Sequence, residues 1–183
     1  MLKEAIKNFR QPVYTKTARS TDTYASIKDR CATQISRLVE EYNSVKNDQQ
    51  LLREIRNEID YQLRRYHNYA IKENIGAHYI EVGLEGNGIF EHMIPASTVR
   101  DLCIAGIFSA EQALNVPTCR LSKQRDDLLR EKGWVSKTPD IYNFWERYKY
   151  CFDTEGVFTT WDGQTVNTDM TLEDHFAYFS IKS

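Results

Sequence analysis

Tyr24, Ile27, Cys31, Ile35, Leu38, Tyr42 and Val45 follow one another at intervals of three and four residues, which puts them on one face of a helix. Thr21 or Asp22 stands where a side chain can cap the first turn. The polar run 43–50 interrupts the period, and Leu52, Ile55, Ile59, Leu63 (or Gln62 beside it), Tyr66 and Ala70 restart it. Two amphipathic stretches joined by a short polar link predict an antiparallel helical hairpin with a packed seam. Residues 1–20 hold no sustained period and are broken by Pro12, so they read as an arm or a short helix.

After Gly76 the texture changes from a period of 3.6 to a period of two. His78, Ile80, Val82 and Leu84 alternate with other positions, Glu85-Gly86-Asn87-Gly88 reads as a turn, and Ile89 to Ile94 as a second strand. This pattern predicts a β-hairpin. Pro95 suits the first turn of a following helix over 96–105, with Val99, Leu102 and Cys103 on one face and Gly106 as its stop. A ββα unit is the expected result. Ser109-Ala110-Glu111-Gln112 has capping-box form, Val116 to Leu121 suits an extended segment, and Ser122 can cap a helix running to Gly133. Thr138-Pro139-Asp140 predicts a further helix to Tyr150, followed by a strand over 157–161 and an aromatic helix over 171–181.

These elements make the chain α+β. The expected organisation is a helical arm and hairpin over 1–74, a ββα-like core over 75–135, and an acidic, aromatic helix and strand layer over 136–183 packed on that core. With 183 residues, 41% apolar and 27% charged, the composition is that of an ordinary globular protein and excludes compositional disorder. No apolar run approaches the ~20 residues that span a bilayer, and Met1 to Arg10 lacks the apolar centre of a secretion signal. The expectation is therefore a cytoplasmic protein, in a host cytoplasm if the chain is viral, with no membrane partner. Cys31, Cys103, Cys119 and Cys151 are widely spaced, which predicts buried thiols rather than disulfides or a zinc knuckle.

Net charge is −2, yet residues 1–72 carry +5 and residues 73–183 carry −7. Arg53, Arg56, Arg64 and Arg65 on the second helix are candidates for phosphate contact, because guanidinium groups match phosphate oxygens and release counterions. Glu54 and Glu58 beside them also fit a salt-bridged solvated face. The acids from Asp153 to Asp174 would repel a phosphate backbone. No Gly-x-x-x-x-Gly-Lys-Ser/Thr loop is present, so nucleoside triphosphate hydrolysis has no support.

Glu91-His92-Met93-Ile94-Pro95, at a strand end before a helix, resembles the acid-His-hydrophobic-x-Pro signature of the His-Me finger (HNH, or ββα-metal) nucleases. The resemblance covers residues 78–127. It implies a metal-dependent DNA endonuclease, of the kind carried by phages or mobile elements, acting on double-stranded DNA. His92 would be the general base that activates water, Glu91 a ligand of Mg²⁺ or another divalent ion or a group orienting His92, and Asn115 the residue that holds the histidine. The finger-helix ligand has no single match, and Gln124, Asp126 and Asp127 are the side chains available. The helical hairpin would serve as a DNA-contacting or homodimerising accessory. The alternative is a non-catalytic interaction module that binds a protein partner through its acidic, aromatic C-terminal part. The remaining histidines read as structural: His78 on a solvated strand face, His67 on a helix surface and His175 in an exposed capping turn.

Overall fold

The computed structural model describes residues 21–72 and 77–181, with side chains described over 26–67 and 77–179. The N-terminal arm expected over 1–20, and the side chains of Tyr24 and Ala70, lie outside the described residues. Seven helices and four strands occur in the described part: α1 (Thr21–Ser44), α2 (Gln49–Lys72), β1 (Tyr79–Glu81), β2 (Ile89–His92), α3 (Ala96–Ile104), α4 (Ala110–Leu114), β3 (Thr118–Leu121), α5 (Lys123–Glu131), α6 (Glu146–Lys149), β4 (Phe158–Thr160) and α7 (Leu172–Ile181). The chain is α+β and opens its described part with a helical pair. No helix among the described residues is long and apolar enough to cross a membrane.

The described residues form two compact units that are interleaved along the chain. Residues 21–72 and 96–115 make a helical unit, and 77–95 and 116–181 make a sheet unit. In the helical unit the predicted seam is present: Cys31, Ile35 and Leu38 of α1 and Ile55, Ile59, Leu63 and Tyr66 of α2 are all buried. The polar break ends α1 at Ser44, and Asp48 Oδ1 accepts from the Leu51 amide at 2.9 Å, satisfying an orphan donor at the start of α2. Helix α3 buries Val99 and Cys103 as expected and adds Arg100, whose Nη1 donates to Asp60 Oδ2 at 2.6 Å. Both halves of the Ser109–Gln112 capping box form at α4. His67 is buried rather than on a surface, because Leu63, Tyr66 and Leu114 of the same unit are buried around its turn. Desolvation lowers its pKa to about 4, against opposing hydrogen bonds to the Leu63 and Leu114 backbone.

In the sheet unit the strand order is β2-β3-β1-β4. The predicted hairpin of β1 and β2 does not form. Strand β3 lies between them, parallel to β1 with Tyr79 opposite Cys119 and antiparallel to β2 with His92 opposite Thr118. The other edge of β1 is taken by antiparallel β4, so β1 has no edge left for β2. Burial explains the preference. Thr118, Cys119 and Leu121 of β3 are all buried, and a strand buried in this way gains most from a central place. The Gly-rich turn is still required, because a Cβ on Gly88 (φ +59°) would fall 2.8 Å from the Leu121 carbonyl oxygen.

The helix expected from Asp140 to Tyr150 shrinks to Glu146–Lys149. Asp140 takes the Tyr142 amide with one carboxylate oxygen and the Asn143 side chain with the other, while the Tyr142 carbonyl accepts from Leu172. These bonds occupy groups that an early helical turn would have used. The sheet unit's core is aromatic, built around Tyr79, Phe144, Trp145, Tyr148, Phe158 and Phe179. His78 and His175 are buried in it, not solvated: their rings meet edge to face at 4.7 Å, and Tyr79 Oη lies 2.8 Å from His175 Nδ1.

Candidate active site

β2, β3 and α5 form an antiparallel strand pair followed by a helix, with α3 and α4 inserted between the two strands. His92 ends the first of these strands, and α5 begins two residues after the second ends. The strand pair is held in register by Glu91 opposite Cys119 and His92 opposite Thr118. Chain direction at the end of β2 is fixed by the Met93 amide, which donates to the Pro117 carbonyl at 3.0 Å.

Glu91 sits beside Arg147, whose side chain is completely buried. Arg147 Nη2 donates to Glu91 Oε1 at 2.5 Å and to the Val135 carbonyl at 2.8 Å, and Nε donates to the Trp134 carbonyl at 2.6 Å. Nη1 donates to the carbonyls of His92 (2.7 Å) and Met93 (3.3 Å). One guanidinium therefore ties the strand end that bears Glu91 and His92 to the segment after α5. Burial raises the Glu91 carboxyl above its ordinary pKa, with Arg147 pulling it down, Asp126 pushing it up and Arg130 pulling it down. Asp126 and Arg130 of α5 are thus within electrostatic reach of Glu91.

Asp126 is buried in the first turn of α5, and its Oδ2 accepts from Arg130 Nε at 2.9 Å. The two carboxylates share a design. Each has one oxygen held by an arginine, and the other oxygen, Oε2 of Glu91 and Oδ1 of Asp126, makes no hydrogen bond among the described residues. The start of α5 is fixed by Glu81 of β1, which accepts from the Ser122 amide at 2.6 Å, from Ser122 Oγ at 3.1 Å and from Arg125 Nε at 3.0 Å.

The other residues singled out by the sequence fall as follows. His92 is half-buried, with its ring edge-on to Phe90 at 5.5 Å. Strand alternation directs it to the face opposite Glu91. Asn115 is buried, C-caps α4 and donates through Nδ2 to the Glu111 carbonyl at 2.7 Å; it belongs to the helical unit, and His92 to the sheet unit. Gln124 is exposed on α5, and Asp127 pairs with Lys123 at 3.0 Å. Arg56 is engaged with Asp101 at 2.9 Å, whereas Arg53, Arg64 and Arg65 are exposed.

Arg147 and Glu81 went unremarked in the sequence. The available signal for Arg147 was a single arginine inside the aromatic run from Phe144 to Tyr148, a place where a cation needs several acceptors. Arg30 of α1 was also missed. It and Arg65 of α2 both act electrostatically on the buried Cys31 thiol, so cations from the two helices converge there.

Among the described residues no group of three or more His, Cys, Asp or Glu is arranged to hold a metal. β2 and α5 each contribute one carboxylate here, Glu91 and Asp126, with one oxygen of each held by an arginine. Comparison with family models, with curated proteins and with solved structures returns no match to this chain.

Proposed function

We propose that the chain is a divalent-metal-dependent endonuclease acting on double-stranded DNA in the cytoplasm, in the manner of the His-Me finger nucleases. The observation that carries the reading is the strand–strand–helix run β2–β3–α5, which brings the carboxylates of Glu91 and Asp126 within electrostatic reach of each other next to His92 in sequence. In this reading His92, the last residue of β2, turns its ring past the strand end toward the Glu91 side and accepts the proton of the attacking water. Glu91 and Asp126 hold the ion, with Gln124 on the same helix as a further oxygen donor; Asn115, which donates to the Glu111 carbonyl in the helical unit, has no part in this reading. A bound divalent ion would stabilise charge on the phosphorane and on the leaving 3′ oxygen. Arg147 keeps one oxygen of Glu91 fixed, so the other is presented in one direction. Arg53, Arg64 and Arg65, exposed on α2, supply phosphate contacts. Arg56 has less to give while Asp101 holds it. The same reading includes a homodimer through the outer surface of the hairpin, where Tyr61 is exposed, and a sedimentation mass of one chain would remove that part.

The interaction-module alternative draws less support, because several of its acids are used locally. Asp153 accepts from the Glu155 amide, Asp162 from Thr160, Asp174 from the Thr171 amide, and Asp169 pairs with Lys149. The test is cleavage of supercoiled plasmid with Mg²⁺ or Mn²⁺. His92→Ala should lower the rate by about 10²–10⁴-fold with an unchanged circular dichroism spectrum. Asp126→Asn should shift the metal concentration for half-maximal rate upward. Wild-type protein that leaves plasmid intact with either metal would end the nuclease reading.

A further inference from the structure

Trp134, just after α5, and Tyr150, just after α6, stack face to face, with ring centroids 5.3 Å apart and planes 13° from parallel. Tyr150 is 60% exposed and makes no other ring contact among the described residues, so one face of its ring lies on Trp134 and the other is open to solvent. Large aromatic rings normally bury such area, and here a preformed flat π surface is left uncovered. A second observation concerns charge. Lys132 is exposed and has no carboxylate partner among the described residues, and it acts electrostatically on the Cys151 thiol, next in sequence to Tyr150. Lys132 is thus within electrostatic reach of the residue that follows Tyr150.

The stack is also tied to the candidate active site. The guanidinium of Arg147 that holds Glu91 holds the Trp134 carbonyl too, at 2.6 Å, and the Val135 carbonyl at 2.8 Å. Because one planar group bonds both, the backbone of Trp134 lies within a few ångströms of the Glu91 carboxylate. The geometry points to a base-stacking site: the open face of Tyr150 receives an unpaired nucleobase, extending the Trp134–Tyr150 stack by one ring, while Lys132 meets an adjacent phosphate. Every base has a π face, so such a platform is tolerant of sequence and selects for bases already out of a duplex. This inference rests on the nucleic-acid reading of the same unit and adds a preference for single-stranded or locally opened substrate.

The full-length protein is titrated in EDTA, so that nothing is cleaved, with short oligo(dT) and with a duplex of equal length, following tryptophan fluorescence and anisotropy of labelled DNA. Oligo(dT) should quench the fluorescence and bind more tightly than the duplex. Tyr150→Ala, at an exposed position, should weaken oligo(dT) binding by about 5- to 150-fold, and Tyr150→Trp should retain it. Lys132→Gln should make the log–log salt dependence shallower by about 0.7. Tyr150→Ala protein that binds oligo(dT) as the wild type does, or wild-type protein that binds it no better than duplex, overturns the platform. A stack that instead serves a protein partner gives that second result. Tyr150-dependent binding without plasmid cleavage in Mg²⁺ or Mn²⁺ keeps the platform and ends the nuclease reading; cleavage with no dependence of binding on Tyr150 does the opposite.

Discussion

Arg147 donates to four backbone carbonyls and one carboxylate from a position without solvent exposure. Arg147→Met should cost about 3–5 kcal/mol, because it strips a buried carboxylate of its partner and orphans the carbonyls. Arg147→Lys should recover little, since one ammonium has three donors and no planar fork. Urea denaturation reads both. Burial already raises the Glu91 carboxyl, so the folded state favours its protonated form, and this contribution is present below the ordinary carboxyl pKa and lost as pH rises through the raised value. Loss of Arg147 removes the main opposing pull, and the Arg147→Met deficit should therefore shrink in acid; an equal deficit at low and neutral pH would dismiss this account. His67 gives the opposite sign. Its pKa falls to about 4 in the fold, so the unfolded chain binds the proton first and stability declines as pH drops from about 6.5 to about 4. The full effect is about 3 kcal/mol. Replacing His67 by Phe should flatten that part of the pH–stability curve.

At the scale of elements, the α1–α2 seam and the β2–β3 ladder make separable predictions. Ile59→Ala, at a fully buried seam position, should cost about 2–5 kcal/mol by urea denaturation. Gly88→Ala should destabilise the sheet by at least the ~1–2 kcal/mol of a left-handed residue with a Cβ, and the Leu121 carbonyl contact adds to it. A Gly88→Ala protein as stable as the wild type would mean that β2 does not pass so close to Leu121. The helical seam was legible because its period is local: each helix declares its buried face within its own residues. Strand adjacency was not, because β1 and β2 are neighbours in sequence while the partners of β1 lie at Cys119 and Thr160, far along the chain. The helix expected from Asp140 failed for a related reason. A good N-terminal signal there is overridden by the long-range bond from Leu172 to the Tyr142 carbonyl. Gln124, Asp126 and Asp127 could be named from the sequence as side chains at one helix start, but not that Asp126 is the buried one. That an arginine at 147 would hold Glu91 could not be read either, since no local pattern links positions separated by 56 residues.

For the whole molecule, the split between a basic first part and an acidic second part predicts a directional response to salt. If DNA is bound through α2, replacing Arg64 and Arg65 by Ala should make the slope of log affinity against log salt shallower by about two, and Asp169→Asn with Glu173→Gln should leave it unaltered. Filter binding at several salt concentrations decides; an unchanged slope in the arginine variant removes α2 from the interface. The interleaving of the two units has a consequence for how the protein emerges from the ribosome. The helices α1 and α2 carry their seam partners close by and can pair as soon as they are clear of the exit tunnel. β1 cannot. Its neighbours are β3 and β4, made about 40 and 80 residues later, so during synthesis one hydrogen-bonding edge waits for β3 and the other stays bare until Phe158–Thr160 arrives. Nascent chains stalled before β4 should be recognised by chaperones and cleaved by protease around β1, while α1–α2 is already resistant, and release of only the last thirty or so residues should convert the whole sheet unit to the resistant form.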